Sequence, residues 1–215
     1  EEEAAACLKR LKSGRAPGED SIPAEVFKNM SSLLEVAALL FSILLRGCTY
    51  PSRWGLGLIR ALLKPGKPAN LVSSLRGIRL LNSWAAWFGQ VLDQRARAKW
   101  QPSQEQFGFL PGMGCLEAVV VLLALIHSRI HRHRRLYVLW IDLRTASPSL
   151  NRAILIRRMF KCGIGLGLCR AALAVLDATF SAACISSSIS KWFMETRGTR
   201  EGAVESPHMF IMYIA

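Results

Sequence analysis

The apolar runs constrain this sequence most tightly, because each is too long to leave in water and too short or too charged to cross a bilayer. LLEVAALLFSILL (33–45) and AVVVLLALI (118–126) fall below the roughly 18–20 residues that a membrane span requires. The longer stretch 164–185 carries Arg170 and Asp177 within it. These runs are expected to be buried helices, with no membrane partner. In a chain of 215 residues, 51% of them apolar, they can build the core of one domain, or of one domain and part of a second.

Periodicity places the remaining elements. An acid-led helix opens the chain and closes at Gly14, and one or two helices run from Pro23 to Gly47. GLIRALLK (57–64) has strand length, and GIRLLN leads from a short extended start into an amphipathic helix that ends near Trp100. Further helices are expected over 116–131, 149–161 and 166–179, strand-like pieces at 136–142 and 183–190, and an apolar helix at the end. Helices alternating with few strands give the α+β class.

The strand expected at 136–142, LYVLWID, raises a chemical question because it ends on an acid. A carboxylate at the tip of a buried strand is costly unless it is paired, hydrogen-bonded or bound to a cation. Asp142 therefore either caps a turn in solvent or ligates a cation.

Twenty-eight Lys and Arg against 15 Asp and Glu leave a net charge of +13, which favours a polyanionic partner, most often nucleic acid. The excess is concentrated in 53–104 and 127–161, two tracts with a single acid each, Asp93 and Asp142. The six cysteines, at 7, 48, 115, 162, 169 and 184, contain no CxxC pair, and the reading is a reducing, intracellular compartment. His127 and His131 have zinc-compatible i, i+4 spacing but no fourth ligand, so HSRIHRHRR reads as a basic helix end. GIGLGL (163–168) reads as a helix break rather than a dinucleotide loop. Trp84, Trp87, Phe88 and Trp100 could stack on bases, but their helical spacing favours the core.

Five segments in order carry a family resemblance. KSGRAPGEDSIPAEVFK (12–28) is similar to K-x-x-x-A-P-G-P-D-G-I-P-x-E-x-x-K. PSRWGLGLIRALLKPGKP with LRGIRLLN (51–82) is similar to P-x-x-W…K-P-G-K…Y-R-P-I-S-L-L-N. QFGFLPGMGCLEAV (106–119), VLWIDLRTASPSLNR (138–152) and RGTREGAVESPHMF (197–210) follow. Together they resemble the reverse transcriptase, or RNA-directed DNA polymerase, of non-LTR, LINE-like retrotransposons.

The resemblance implies a right-hand polymerase: fingers over 1–130, an incomplete palm over 131–215 with a small antiparallel sheet, and no thumb. It makes Asp142 the catalytic aspartate and, with the backbone carbonyl of Leu143, a ligand of Mg2+. Lys64, Arg76 and Glu201 fall at the site of the incoming dNTP triphosphate, and Arg197 and Arg200 on a nucleic-acid-binding face. The implied partners are an RNA template, a DNA primer and dNTP, and the implied location is intracellular and nuclear.

Departures qualify the picture. Ala146, Ser147 and Pro148 stand where the family carries A-F-D, Glu201 replaces a Gln, Leu110 an Arg, and Leu75, Gly77, Arg79, Val204 and Glu205 also differ. The Y-x-D-D segment is not in the sequence. The expectation is a retrotransposon-derived domain that is catalytically inactive as this fragment; the alternative is a non-catalytic nucleic-acid-binding remnant.

Overall fold

The computed structural model describes residues 1–68, 70–143, 145–185 and 188–215. Its architecture is α+β, with a small open sheet flanked by helices.

The N-terminal helix α1 (Glu2–Arg10) places Glu2 and Glu3 in its first turn and Lys9 and Arg10 in its last, matching the helix dipole at both ends. Two helices follow, α2 (Ala24–Lys28) and α3 (Leu33–Gly47). Strands β1 (Leu56–Leu63) and β2 (Leu75–Leu81) pair antiparallel, Gly57 opposite Leu81 and Leu63 opposite Leu75. Helix α4 (Ser83–Arg97) starts at Asn82, whose side chain accepts the Ala85 N–H at 2.7 Å, an N-cap that breaks the strand into a helix.

Helices α5 (Cys115–His131), α6 (Ala146–Ser149), α7 (Arg152–Lys161) and α8 (Leu166–Asp177) lead to β3 (Phe180–Ile185). β3 lies parallel to β1, Leu56 beside Phe180 and Arg60 beside Cys184. On its other edge it takes β4 (Ser188–Ile189) and β5 (Phe193–Met194), both antiparallel. The expected antiparallel sheet is therefore mixed, because β1 and β3 belong to a crossover rather than a hairpin. Residues 186 and 187 of the piece expected over 183–190 lie outside the described residues. Helix α9 (Ser206–Ile214) closes the chain.

Two hydrophobic clusters hold this together. In the first, α1, α3 and α4 enclose Trp87 and Phe88, and Trp54 and Trp84 stack with ring centres 5.5 Å apart. The Trp87 indole N–H donates to the Ala4 carbonyl at 2.8 Å, so these aromatics are core and do not face a ligand. In the second, α7, α8 and α9 bring together Leu155, Met159, Leu176, Met209 and Met212.

The segment 136–142 departs from expectation. It forms no strand, and its apolar side chains are exposed: Tyr137 is 83% and Trp140 78% accessible. A strand exists only where a neighbour takes up its peptide groups, and among the described residues no strand lies alongside. Helix α5, expected from its apolar run to be buried, has no buried residue either. No helix among the described residues is long and apolar enough to cross a membrane.

Candidate functional site

Three stretches distant in sequence, around residues 76, 141–147 and 201, meet at one open cleft of about 830 Å³. Edge strand β2 supplies Arg76, the 141–143 stretch supplies Asp142 and Leu143, α6 supplies Ala146 and Ser147, and the turn before α9 supplies Glu201. Arg76, Asp142 and Glu201 are exposed, so each can meet a solute without prior loss of a partner.

Local bonds fix these contributors. The α6 turn is held to the 197–199 segment by Thr199 N–H donating to Ser147 O at 3.1 Å and Gly198 N–H to Leu150 O at 2.8 Å. Gly198 is required there: its φ is +77° and a Cβ would sit 2.7 Å from the Ser147 oxygen. Arg152, buried at the start of α7, donates from Nε to Gly198 O at 3.1 Å.

Lys64 does not line the cleft. It follows β1, its Nζ donating to the Ser73 carbonyl at 2.8 Å, and so braces the hairpin that carries Arg76. Arg197 is exposed and lines an adjoining cleft of about 410 Å³, which shares Glu201 with the first.

Arg200 corrects the sequence reading. It is fully buried, one guanidinium nitrogen donating to Glu205 at 2.5 Å and another to the Tyr50 hydroxyl at 2.7 Å. Burial opposes the Arg200 charge, but Tyr50 and Glu205 beside it outweigh burial and push its pKa up. With both forks taken, no nucleic acid reaches it. Burial likewise raises the Tyr50 hydroxyl.

Arg79 makes a second lock. Its guanidinium donates to Glu195 at 2.9 Å and to the Phe180 carbonyl at 2.8 Å, tying β2 to β3 and β5's trailing segment. Burial pushes its pKa down, with Glu195 opposing. Both locks were missed in the sequence. Their only linear signal is that Arg79 and Glu205 are departures from the family pattern; each is one half of an ion pair, buried on both sides for Arg200–Glu205 and on the guanidinium side for Arg79–Glu195.

The donor set bears on Mg2+. Among the described residues no group of three or more His, Cys, Asp or Glu side chains converges to hold a metal. Asp142 and Glu201 are two carboxylates on one cleft, fewer than paired hard cations require. The residues present do not fit a two-metal centre by themselves. Among the described residues the His127–His131 pair belongs to no such group either.

Comparisons with known proteins agree with the motifs. No protein-family model matches the chain. It is 25% identical, over an alignment of 225 positions that covers 98% of the chain, to the RNA-directed DNA polymerase named for transposon X-element of Drosophila melanogaster. It is 29% identical, over an alignment of 217 positions that covers 95% of the chain, to the 115 kDa protein of the type-1 retrotransposable element R1DM of the same species. The chain is thus similar to RNA-directed DNA polymerases of retrotransposons. A third relative, named for transposon BS, aligns at 28% identity over 55% of the chain. The domain spans only 24% and 20% of the length of the first two relatives.

Proposed function

We propose that the cleft of this reverse-transcriptase-like domain binds nucleotide and nucleic acid, and that the described residues alone do not polymerise. In this reading 1–130 corresponds to fingers and 131–215 to palm. Arg76 grips triphosphate oxygens with its planar fork. Lys64 keeps that hairpin in place, and Asp142 with the Leu143 carbonyl marks the position of a metal-holding cluster. Arg197 meets the nucleic-acid backbone.

The observation that carries the reading is the meeting of Arg76, Asp142, Leu143 and Glu201 in one cleft, although they come from segments far apart in the chain. Glu201 sets its electrostatics: a carboxylate beside the phosphate site repels the ligand that Arg76 attracts.

Titration of a fluorescent deoxynucleoside triphosphate tests this. Arg76→Ala should weaken binding about tenfold, the loss of one charge-assisted fork, and Glu201→Gln should tighten it. Unchanged affinity in Arg76→Ala refutes the nucleotide site. Primer extension with added Mg2+ should show no incorporation; template-dependent synthesis abolished by Asp142→Ala would overturn the inactive assignment.

The alternative, a non-catalytic nucleic-acid-binding remnant, draws support from the +13 charge and its two concentrated basic tracts. It predicts oligonucleotide binding that falls with salt and is indifferent to Asp142→Ala.

A further inference from the structure

Helices α4 and α9 meet over an internal cavity of about 10 Å³. Its wall is apolar, with Ala96, Met209 and Met212 among the lining residues, except where Asp93, Glu205 and His208 enter it. These three side chains belong to residues only 7%, 2% and 1% accessible, so none of them is hydrated from bulk solvent.

Each of the three carries a buried polar atom with no hydrogen-bond partner among the described residues: Asp93 Oδ1, Glu205 Oε2 and His208 Nδ1. The other oxygen of each carboxylate is engaged. Asp93 Oδ2 accepts from Arg97 Nε at 2.7 Å, and Glu205 Oε1 accepts from Arg200 at 2.5 Å. His208 Nδ1 stands 3.4 Å from Asp93 Oδ1, close enough for attraction but too far for a direct hydrogen bond.

The two helices are built to bring these atoms together. Gly89 and Asp93 are one turn apart on α4, and Glu205 and His208 are three residues apart at the start of α9. Glu205 Oε2 fits against α4 because Gly89 has no side chain; a Cβ there would lie 2.3 Å from that oxygen.

Three buried polar atoms left unsatisfied are costly, so whatever occupies the cavity has to supply their partners. Size and charge decide between a metal cation and water. A cavity of about 10 Å³ holds one water-sized body. Arg97 and Arg200 already balance the two carboxylates, which leaves little net attraction for a cation, and a hard cation takes about six oxygen ligands. Water offers two donors for the carboxylate oxygens and an acceptor for an imidazole N–H.

We propose that this cavity is the binding site of a single structural water, which donates to Asp93 Oδ1 and Glu205 Oε2 and accepts from His208 Nδ1–H. The water is the polar link between α4 and α9. Glu205 divides its two oxygens between Arg200 and the water, so hydration of this joint is coupled to the turn that carries Glu201. The site is separate from the nucleotide cleft, since neither Arg76 nor Asp142 lines it.

Water-to-methyl NOEs in the full chain, with labelled Ala and Met methyl groups, test this. The Ala96, Met209 and Met212 methyls are buried and their protons do not exchange, so a cross-peak at the water frequency requires a water beside them. Such cross-peaks are expected in wild type. His208→Leu should abolish them and lower the urea midpoint by about 0.5–1 M, because the carboxylate oxygens lose their bridged partner. His208→Asn, whose amide nitrogen stands near the position of Nδ1, should keep them.

Absence of the cross-peaks in wild type overturns the proposal, and so does their persistence in His208→Leu. A crystal structure of the wild-type chain decides independently of any variant's folding: one water within about 2.6–3.2 Å of the three atoms supports the site. A direct bond from His208 Nδ1 to Asp93 Oδ1, or a coordinated metal ion in the cavity, refutes it.

Discussion

Arg200 and Glu205 form a buried ion pair at 2.5 Å, with side chains 0% and 3% accessible, directly beneath the cleft that Glu201 lines. The pair spans the turn that introduces α9, and Ser206 Oγ closes it by donating to the Arg200 carbonyl at 2.7 Å. Glu205 reaches it because α4 has Gly89 there: a Cβ at that position would stand 2.3 Å from a Glu205 oxygen. The positions of Glu201 and Gly202 thus depend on a charge pair that no solute touches.

Breaking one side of that pair should be severe. Glu205→Leu leaves an uncompensated buried guanidinium and is expected to lower unfolding stability by about 3–5 kcal/mol in urea denaturation. The double variant Arg200→Met/Glu205→Leu should recover much of the loss, since a buried ion pair replaced by apolar groups is often near neutral. No recovery would show that the charges are not the principal connection.

Gly57→Ala probes the other lock. A Cβ there would lie 2.0 Å from Arg79 Nε, so the guanidinium must leave Glu195 or the β1–β3 pairing must open. A loss of about 1–3 kcal/mol is expected from overpacking, and calorimetry that finds wild-type melting would refute the crowding.

The exposed 136–142 segment predicts the opposite behaviour. Trp140→Ser should change stability by less than about 0.5 kcal/mol and should reduce aggregation, since a flat apolar stretch is removed from solvent. A large destabilisation would mean that the indole is packed.

Thiol chemistry separates core from surface. Burial pushes the Cys7 thiol up to about 11 from an ordinary 9.0, while Cys115 is exposed. Maleimide labelling at neutral pH should modify Cys115 first and spare Cys7. The sign of the pH effect follows: the folded thiol holds its proton longer than the unfolded one, so its contribution is complete below about pH 9 and is lost as pH rises through about 11. Cys7→Ala should flatten that alkaline decline in a comparison of urea midpoints.

The linear sequence was sufficient for elements that depend on neighbours in the chain. The amphipathic helix α4 could be read from the periodicity after GIRLLN, α1 from its charge order, and the retroelement resemblance from five motifs in order. Arg76, Asp142 and Glu201 were also legible as candidates, because motif spacing carries residue types. Tertiary structure alone decided that they share a cleft, that Arg200 is sequestered while Arg197 is exposed, and that LYVLWI stays out of the sheet. The physical reason is common to all three. Local propensity and spacing are properties of adjacent residues, whereas burial, ion pairing and strand formation depend on partners as distant as Tyr50 from Arg200, and those partners meet only when the chain has folded.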